Sequence, residues 1–437
     1  MTYEETIHYL YTSTPVFQHS GASAYKPGLD TSIALDNHLG NPHRAYPTIH
    51  VGGTNGKGSI SHVLATILQK AGFRVGLYTS PHLLDFRERI RVDGQMISKE
   101  YVVNFVEDNR DFFEPLQPSF FELTSTMAFA YFRAKHVDIA IIEVGLGGRL
   151  DSTNIITPIL SIITNISKDH TAQLGDTLEQ IASEKAGIIK DGVPVVIGEA
   201  KEESVYHVFL KKAIEMHAPI LFAEHEKLLV SEPIIEEGGD WTYESVDYGF
   251  FYGELKGLVQ VVNTITVLCA LRVLDILFPE KITRDAVAEG FHSVTSLTNL
   301  RGRWEKLMDK PYIVADTGHN IGAWNWLAPR INREIERRKK VYIILGFSGD
   351  KDVDAILQLL PLNAFYFFTN ASSERALSAV ELAKKAEAFG LQGITYPSIF
   401  DALEYVIANA DDEDFVFIGG SNFVVAEVLP AFENDNK

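Results

Sequence analysis

Along the first half of the chain, short and almost uninterrupted apolar runs alternate with segments whose apolar residues recur every three or four positions. This is the pattern of a parallel sheet covered by helices. Residues 48–51 read as a strand, 52–58 as a loop, and 59–71 as a helix with Ile60, Val63, Leu64, Ile67 and Leu68 on one face. Residues 73–78 form the next strand, followed by Thr79, Ser80 and Pro81. Residues 137–144 are apolar nearly throughout, as a strand buried on both faces should be, and carry Glu143 at their end. Residues 159–166 make a further strand, with Lys168, Asp169 and His170 behind it. Four strands therefore finish in polar residues. In open α/β sheets ligands sit outside the carboxyl ends of the strands, so these ends are expected to meet at one site.

A polar, turn-rich stretch at 296–303 closes the first series, and a second begins after it. Residues 312–315, 341–345, 365–368 and 415–418 read as strands, with helical patterns near 322–338, 352–360, 373–389, 400–409 and 422–432. The expectation is α/β throughout: a P-loop, parallel-sheet domain over 1–297, then a smaller Rossmann-like domain over 298–437. Segment 225–255 fits antiparallel strands around Trp241–Tyr243 and Phe250–Tyr252, and the polar end 433–437 reads as a frayed tail.

Charge narrows the partners. Lys and Arg total 39 against 58 Asp and Glu, a net −19, so like-charge repulsion disfavours nucleic acid and anionic membranes, though not a small anion in a local basic pocket. Cys269 is the only cysteine, which excludes intramolecular disulfides and thiolate metal clusters and fits a reducing cytoplasm. The N-terminus lacks a signal-peptide pattern, and no apolar run reaches the roughly 18 residues of a membrane helix.

The stretch 47–59, PTIHVGGTNGKGS, places glycines and Lys57 between a strand and a helix start, where backbone N–H groups and the helix end attract phosphate. Thr54, Asn55, Gly56, Lys57, Gly58 and Ser59 are the candidate nucleotide contacts. The common phosphate loop sets a hydroxyl directly after its lysine to hold Mg²⁺, but here Gly58 takes that place and Ser59 follows one step later. Ser80, ending the neighbouring strand, can supply the missing hydroxyl, although a Ser-Pro turn by itself is ordinary capping chemistry. Glu143 would be costly to bury as an isolated charge, and a hard divalent cation relieves that cost. His170 reads either as a plain loop histidine or, at its strand end, as a metal ligand. Lys185 lies in a charged helical pattern over 177–190 whose periodicity makes it a surface lysine.

Taken together, GTNGKGS, YTSPHLLDFRERIRVDG, IIEVGLGGRLDSTN, TNISKDHTAQLGDTLEQIASEKAGIIK, GRWE and DTGHN closely resemble the folylpolyglutamate synthase and dihydrofolate synthase family of the Mur ligase superfamily. The resemblance runs from about residue 20 to the C-terminus. It implies an ATP-binding first domain, a Rossmann-like second domain and an active site between them. It further implies Mg²⁺ near Ser80, Glu143 and His170, and a carbamylated lysine at Lys185. By motif, Asn263, Arg303 and Asp316 would contact ATP, with His319 closing over the nucleotide or the incoming amino acid. Phe120, Phe121 and Leu150 would line the pterin pocket, and Arg89 and Ser421 would hold glutamate carboxylates. The chain departs from the family pattern in Val259-Gln260 for His-Gln, Asp316-Thr-Gly-His-Asn320 for DGAHN, and Arg301-Gly-Arg303 for Pro-Gly-Arg.

The implied reaction joins L-glutamate to dihydropteroate, to tetrahydrofolate glutamates, or to both, through an acyl phosphate. Such a protein is expected to be cytoplasmic and monomeric and to take only small-molecule partners: ATP, L-glutamate and a pteroate or folate. Two alternatives compete. A cell-wall Mur ligase would need an additional N-terminal domain, and only about fifty residues precede the loop. An ATP-gated binding protein without catalysis would have little use for Lys57, Glu143, His170 and Lys185 together.

Overall fold

The computed structural model describes residues 1–14, 28–235 and 240–433; of the expected frayed tail over 433–437, all but Glu433 lies outside them. The chain divides into two compact units, one of residues 1–255 and 260–300, the other of 256–259 and 301–437.

In the first unit eight strands form one sheet in the order β4-β3-β2-β5-β1-β6-β7-β8. These are β1 (Thr48–Gly52), β2 (Val75–Tyr78), β3 (Ile90–Val92), β4 (Gln95–Met96), β5 (Ile139–Glu143), β6 (Leu160–Ile163), β7 (Val195–Ile197) and β8 (Ile220–Phe222). β2, β5, β1, β6, β7 and β8 run parallel, with Val51 opposite Glu143 and Gly52 opposite Ile163. The four strands whose polar ends the sequence singled out are therefore contiguous, and those ends share a rim.

The helix after β1 runs Lys57–Lys70, beginning two residues earlier than its apolar stripe suggests. Every residue from Ser59 to Leu68 is buried, so the helix is enclosed rather than one-faced. The second cover is the helix Arg284–His292, where Gly290 lies so close to Ile67 that a Cβ would come within 2.7 Å of its Cα. Residues 164–166, read as strand, are loop instead. Antiparallel strands do form in the difficult segment: β9 (Ile234–Ile235), β10 (Trp241–Ser245) and β11 (Gly249–Gly253), with Tyr243 opposite Phe251. Contrary to the reading of the apolar runs, the helix Val259–Leu277 is long and apolar enough to cross a membrane by length and composition. Most of that span is buried inside the unit, and it carries Gln260, Asn263 and Thr264 among its buried residues.

In the second unit six strands order as β12-β13-β17-β14-β15-β16: β12 (Glu305–Met308), β13 (Tyr312–Asp316), β14 (Val341–Leu345), β15 (Phe365–Phe368), β16 (Gly393–Thr395) and β17 (Phe415–Gly419). Only β12 pairs antiparallel. The flanking helices include Ile321–Arg337, Ala379–Glu387 and Ile399–Asn409 around a core containing Trp304, Trp324, Phe347 and Phe417.

Candidate functional site

Beyond β1 the chain turns through Gly53 at φ +133° and Gly56 at φ +86°, both in backbone regions that L side chains rarely adopt. Gly56 caps the helix that starts at Lys57. The loop is stitched to the segment after β6. Thr54 N–H donates to Asn165 O at 2.9 Å and Asn55 N–H to Asn165 Oδ1 at 3.0 Å. Thr164 Oγ1 and Asn165 Nδ2 donate to Asn55 O at 2.6 and 2.9 Å. Ser167 N–H returns to Thr54 Oγ1 at 3.1 Å. Asn263, from the helix Val259–Leu277, packs against Gly56, where any Cβ would lie 2.5 Å from its Oδ1. Its amide nitrogen donates to Gln260 Oε1 at 2.9 Å.

Lys57 folds back over the loop, its Nζ donating to Gly53 O at 3.2 Å and Thr54 O at 3.1 Å. Lys185 reaches the same Gly53 carbonyl at 2.8 Å from 132 residues away. It is 4% exposed, so the surface position given by its periodicity is wrong. The helix there is Leu178–Lys185, followed by a 3₁₀ turn, and its last residue faces inward to the loop. Burial first, and then the charge of Lys57, pull the Lys185 amine down to about 7, with Asp169 and Asp151 opposing.

At the end of β5, Glu143 is 3% exposed and accepts the Ser80 N–H at 2.9 Å from the end of the neighbouring strand. His170 stands at φ +51° ahead of a short helix, Thr171–Leu174, with its Nε2 3.9 Å from Asp169 Oδ2. Among the described residues no group of three or more His, Cys, Asp or Glu side chains gathers as a metal site. The structure thus joins Ser80 to Glu143 and Lys185 to Lys57. His170 lies on the loop that continues from the Thr164–Ser167 stitching. A buried carboxylate at a sheet rim beside a serine is nonetheless the hard-oxygen chemistry that suits a divalent cation.

A second pocket of side chains lies on the same unit. Arg89, 3% exposed, sits over the Phe120 ring at 5.2 Å and donates from Nε to His82 Nδ1 at 2.7 Å. Because the guanidinium can only donate, His82 carries its proton on Nε2, which meets the Tyr11 hydroxyl at 2.9 Å. Tyr11 stacks on Phe120 with centroids 5.2 Å apart. Burial lowers the Arg89 proton affinity, while Tyr78, Tyr11, Glu143 and Glu88 counteract it. Phe121 presses on Gly145, where a Cβ would come within 2.3 Å of its ring. Leu150 is half-buried on the loop that Asp151 braces, the Asp151 carboxylate accepting the Leu146 and Thr153 N–H groups at 2.8 and 3.0 Å. Burial pushes the Asp151 carboxyl up, against its hydrogen bonds. Sequence reasoning missed Tyr11, His82, Thr164, Asn165 and Asp151. His82 and the Thr164-Asn165 pair stood in quoted motifs at strand ends, whereas Tyr11 precedes the region of resemblance and carried no signal.

In the second unit, Asp316 at the end of β13 accepts the N–H groups of Trp304 at 2.7 Å and Gly318 at 2.8 Å. Burial pushes its carboxyl up, with Arg303 opposing most strongly. His319 donates from Nδ1 to Thr317 O at 3.0 Å. Ser421 is buried and its hydroxyl caps the helix Asn422–Val428, accepting from Val424 N–H at 3.2 Å. That oxygen therefore already has a structural partner.

The Mur ligase middle-domain model matches residues 51–227, and the Mur ligase glutamate-ligase-domain model matches residues 302–422. The dihydrofolate synthase/folylpolyglutamate synthase of Bacillus subtilis is 30% identical over 418 residues, spanning 92% of this chain and 94% of its own. The structure of Escherichia coli FolC in complex with DHPP and ADP matches with a TM-score of 0.84 at 28% identity, covering 100% of this chain and 99% of that one. A bifunctional folylpolyglutamate synthase/dihydrofolate synthase with Mn, AMPPNP and L-glutamate bound matches with a TM-score of 0.79 at 28% identity, covering 99% and 98%.

Proposed function

Because the chain belongs to the dihydrofolate synthase/folylpolyglutamate synthase family, we propose that the rim of the large sheet is where it activates a carboxylate with ATP. It is an ATP-dependent ligase that adds L-glutamate to a folate-type acceptor and uses a divalent cation. In the first step, an acceptor carboxylate oxygen attacks the γ-phosphorus, the bond to the bridging oxygen breaks, and ADP leaves. In the second, the glutamate amine attacks the acyl carbon, loses a proton, and inorganic phosphate departs with the former carboxylate oxygen.

No protein nucleophile is required, so catalysis falls to positioning and to charge stabilisation on the phosphoryl oxygens. Lys57 exchanges its two loop carbonyls for the β- and γ-phosphate oxygens, and Thr54, Asn55, Gly56, Gly58 and Ser59 with the helix start complete the cradle. Glu143, Ser80 and His170 hold the divalent cation, taken to be Mg²⁺, which when bound offsets phosphate charge. Lys185 joins them as a carbamate: its neutral amine attacks carbon dioxide, loses a proton, and the buried cation becomes an anionic oxygen ligand. Its amine, drawn down to about 7, supplies the neutral form this requires at neutral pH.

Asn263, Arg303 and Asp316 contact the nucleotide, and His319 serves the nucleotide or the incoming amino acid. Phe120, Phe121 and Leu150 line the pterin pocket. Arg89 takes a glutamate carboxylate with its guanidinium, and Ser421 donates to a second carboxylate. The protein acts as a cytoplasmic monomer on this reading.

One observation carries the assignment: two lysines from distant segments converge on the Gly53 carbonyl of the phosphate loop, beside the strand that ends in Glu143. ADP release measured side by side with dihydropteroate and tetrahydrofolate, each with and without glutamate, tests it and selects the acceptor. Release that ignores both glutamate and acceptor would reject the ligase reading.

A further inference from the structure

Thr317 follows β13 directly, within the stretch DTGHN. We propose that Thr317 is a positioning residue that fixes the Arg303 guanidinium for the nucleotide, an inference that rests on the nucleotide role given to Arg303 above.

Thr317 is buried directly after β13, and its N–H donates to Gly302 O at 3.1 Å, tying the two motifs together through the main chain. A glycine would make that bond equally well. The threonine hydroxyl adds two further links. It donates to the same Gly302 carbonyl at 3.0 Å, so its hydrogen is committed there and its lone pair is left for a donor. That donor is Arg303 Nη1, which also approaches Gly302 O at 3.1 Å. A hydroxyl already donating to a carbonyl is a better acceptor for a cation, so the two bonds reinforce one another.

The surroundings are fixed as well. Gly302 and Trp304 both have positive φ, at +70° and +45°, so the backbone on either side of Arg303 follows one defined turn. The Trp304 N–H is held by Asp316, and its ring lies under Arg330 at 4.3 Å. The Arg303 side chain is long and rotatable; the Asp316 carboxylate attracts its charge, and the Thr317 hydroxyl gives its Nη1 a directional acceptor. The remaining N–H groups of Arg303 then face the ligand in a preset direction, which lowers the ordering cost at binding.

Thr317→Val keeps the shape and the main-chain bond but removes the hydroxyl, whereas Thr317→Ser keeps the hydroxyl. In the ADP-release assay on the full chain, the valine variant is expected to raise KM for ATP roughly tenfold, with KM for glutamate and for the folate-type acceptor unchanged and Tm lowered by no more than a few degrees. The serine variant is expected to stay at the wild-type value. Arg303→Ala serves as the control for the underlying reading. If it raises KM for ATP while Thr317→Val matches wild type, the positioning role is refuted and the nucleotide role of Arg303 stands. If Arg303→Ala leaves KM for ATP unchanged, the nucleotide role itself is wrong and the positioning role falls with it. Should the valine variant fail to fold, Thr317→Ala, which leaves every main-chain bond in place, carries the same test.

Discussion

His50, in the strand that feeds the phosphate loop, should make the enzyme acid-sensitive in a calculable way. Its Nε2 lies 2.9 Å from Thr153 Oγ1, and Thr153 in turn donates to Asp151, so the imidazole must donate from Nε2. Its Nδ1 is left buried without a partner. Protonation would place a charge and an unpaired N–H there, and burial, helped by Lys190, pulls the pKa from 6.5 down to about 3. Between those values the unfolded chain binds the proton and the folded one refuses it, so stability rises with pH. The contribution is fully present above about pH 6.5 and is lost as pH falls towards 3. At pH 5 the loss is 1.5 pH units at about 1.4 kcal/mol each, or about 2 kcal/mol. His50→Gln keeps a donor for Thr153 but never ionises. Urea unfolding of both proteins at pH 7 and pH 5 should show the wild type losing about 2 kcal/mol more than the variant across that interval. Equal losses in the two proteins would refute the argument.

Three further outcomes follow from the loop. Lys57→Ala should lower kcat for ADP release by about a hundredfold or more while Tm stays within a few degrees of wild type, and an unchanged rate would remove Lys57 from the phosphate contacts. Gly53→Ala would set a Cβ 1.9 Å from Thr164 Oγ1 and 2.8 Å from Thr164 N at a φ of +133°. The expected result is a lower Tm and no thermal shift on adding ADP, so a shift equal to wild type would count against the need for glycine. For Lys185, incubation with ¹³C-bicarbonate should give a carbamate carbonyl resonance that is missing from Lys185→Met, and its absence from both would leave the residue a plain buried amine.

Apolar runs were enough to locate β1, β2, β5 and β6 and the polar residues at their ends, because a strand buried on both faces writes its position into consecutive residues. β14 was legible to the residue for the same reason, and β15 as a run of four aromatic residues. Lys185 was not, since its burial depends on a carbonyl 132 residues away and its own helix looks charged and solvated. The enclosure of Lys57–Lys70 depends on the distant helix Arg284–His292, which leaves no mark on the stripe of residues 59–71. β16 has all three residues exposed at a sheet edge, so no alternation betrays it. The pattern over 373–389 overshot because Ser378 caps the helix, accepting from Glu381 N–H, and the preceding residues are turn. The candidate site residues were legible only through the motifs that carry them. Those that hold them, Tyr11, His82, Thr164 and Asn165, act through partners that only the fold supplies.

The stitching of the phosphate loop to Thr164–Ser167 has a consequence for its ancestry and its reuse. A loop whose shape is half specified by another strand's exit is not a portable cassette, and transplanting GTNGKGS alone into a foreign scaffold should yield a floppy turn with little grip on phosphate. Across related chains, drift at positions 53 to 55 should be accompanied by compensating drift at 164 to 167, a paired signature that an isolated glycine-rich turn would never leave.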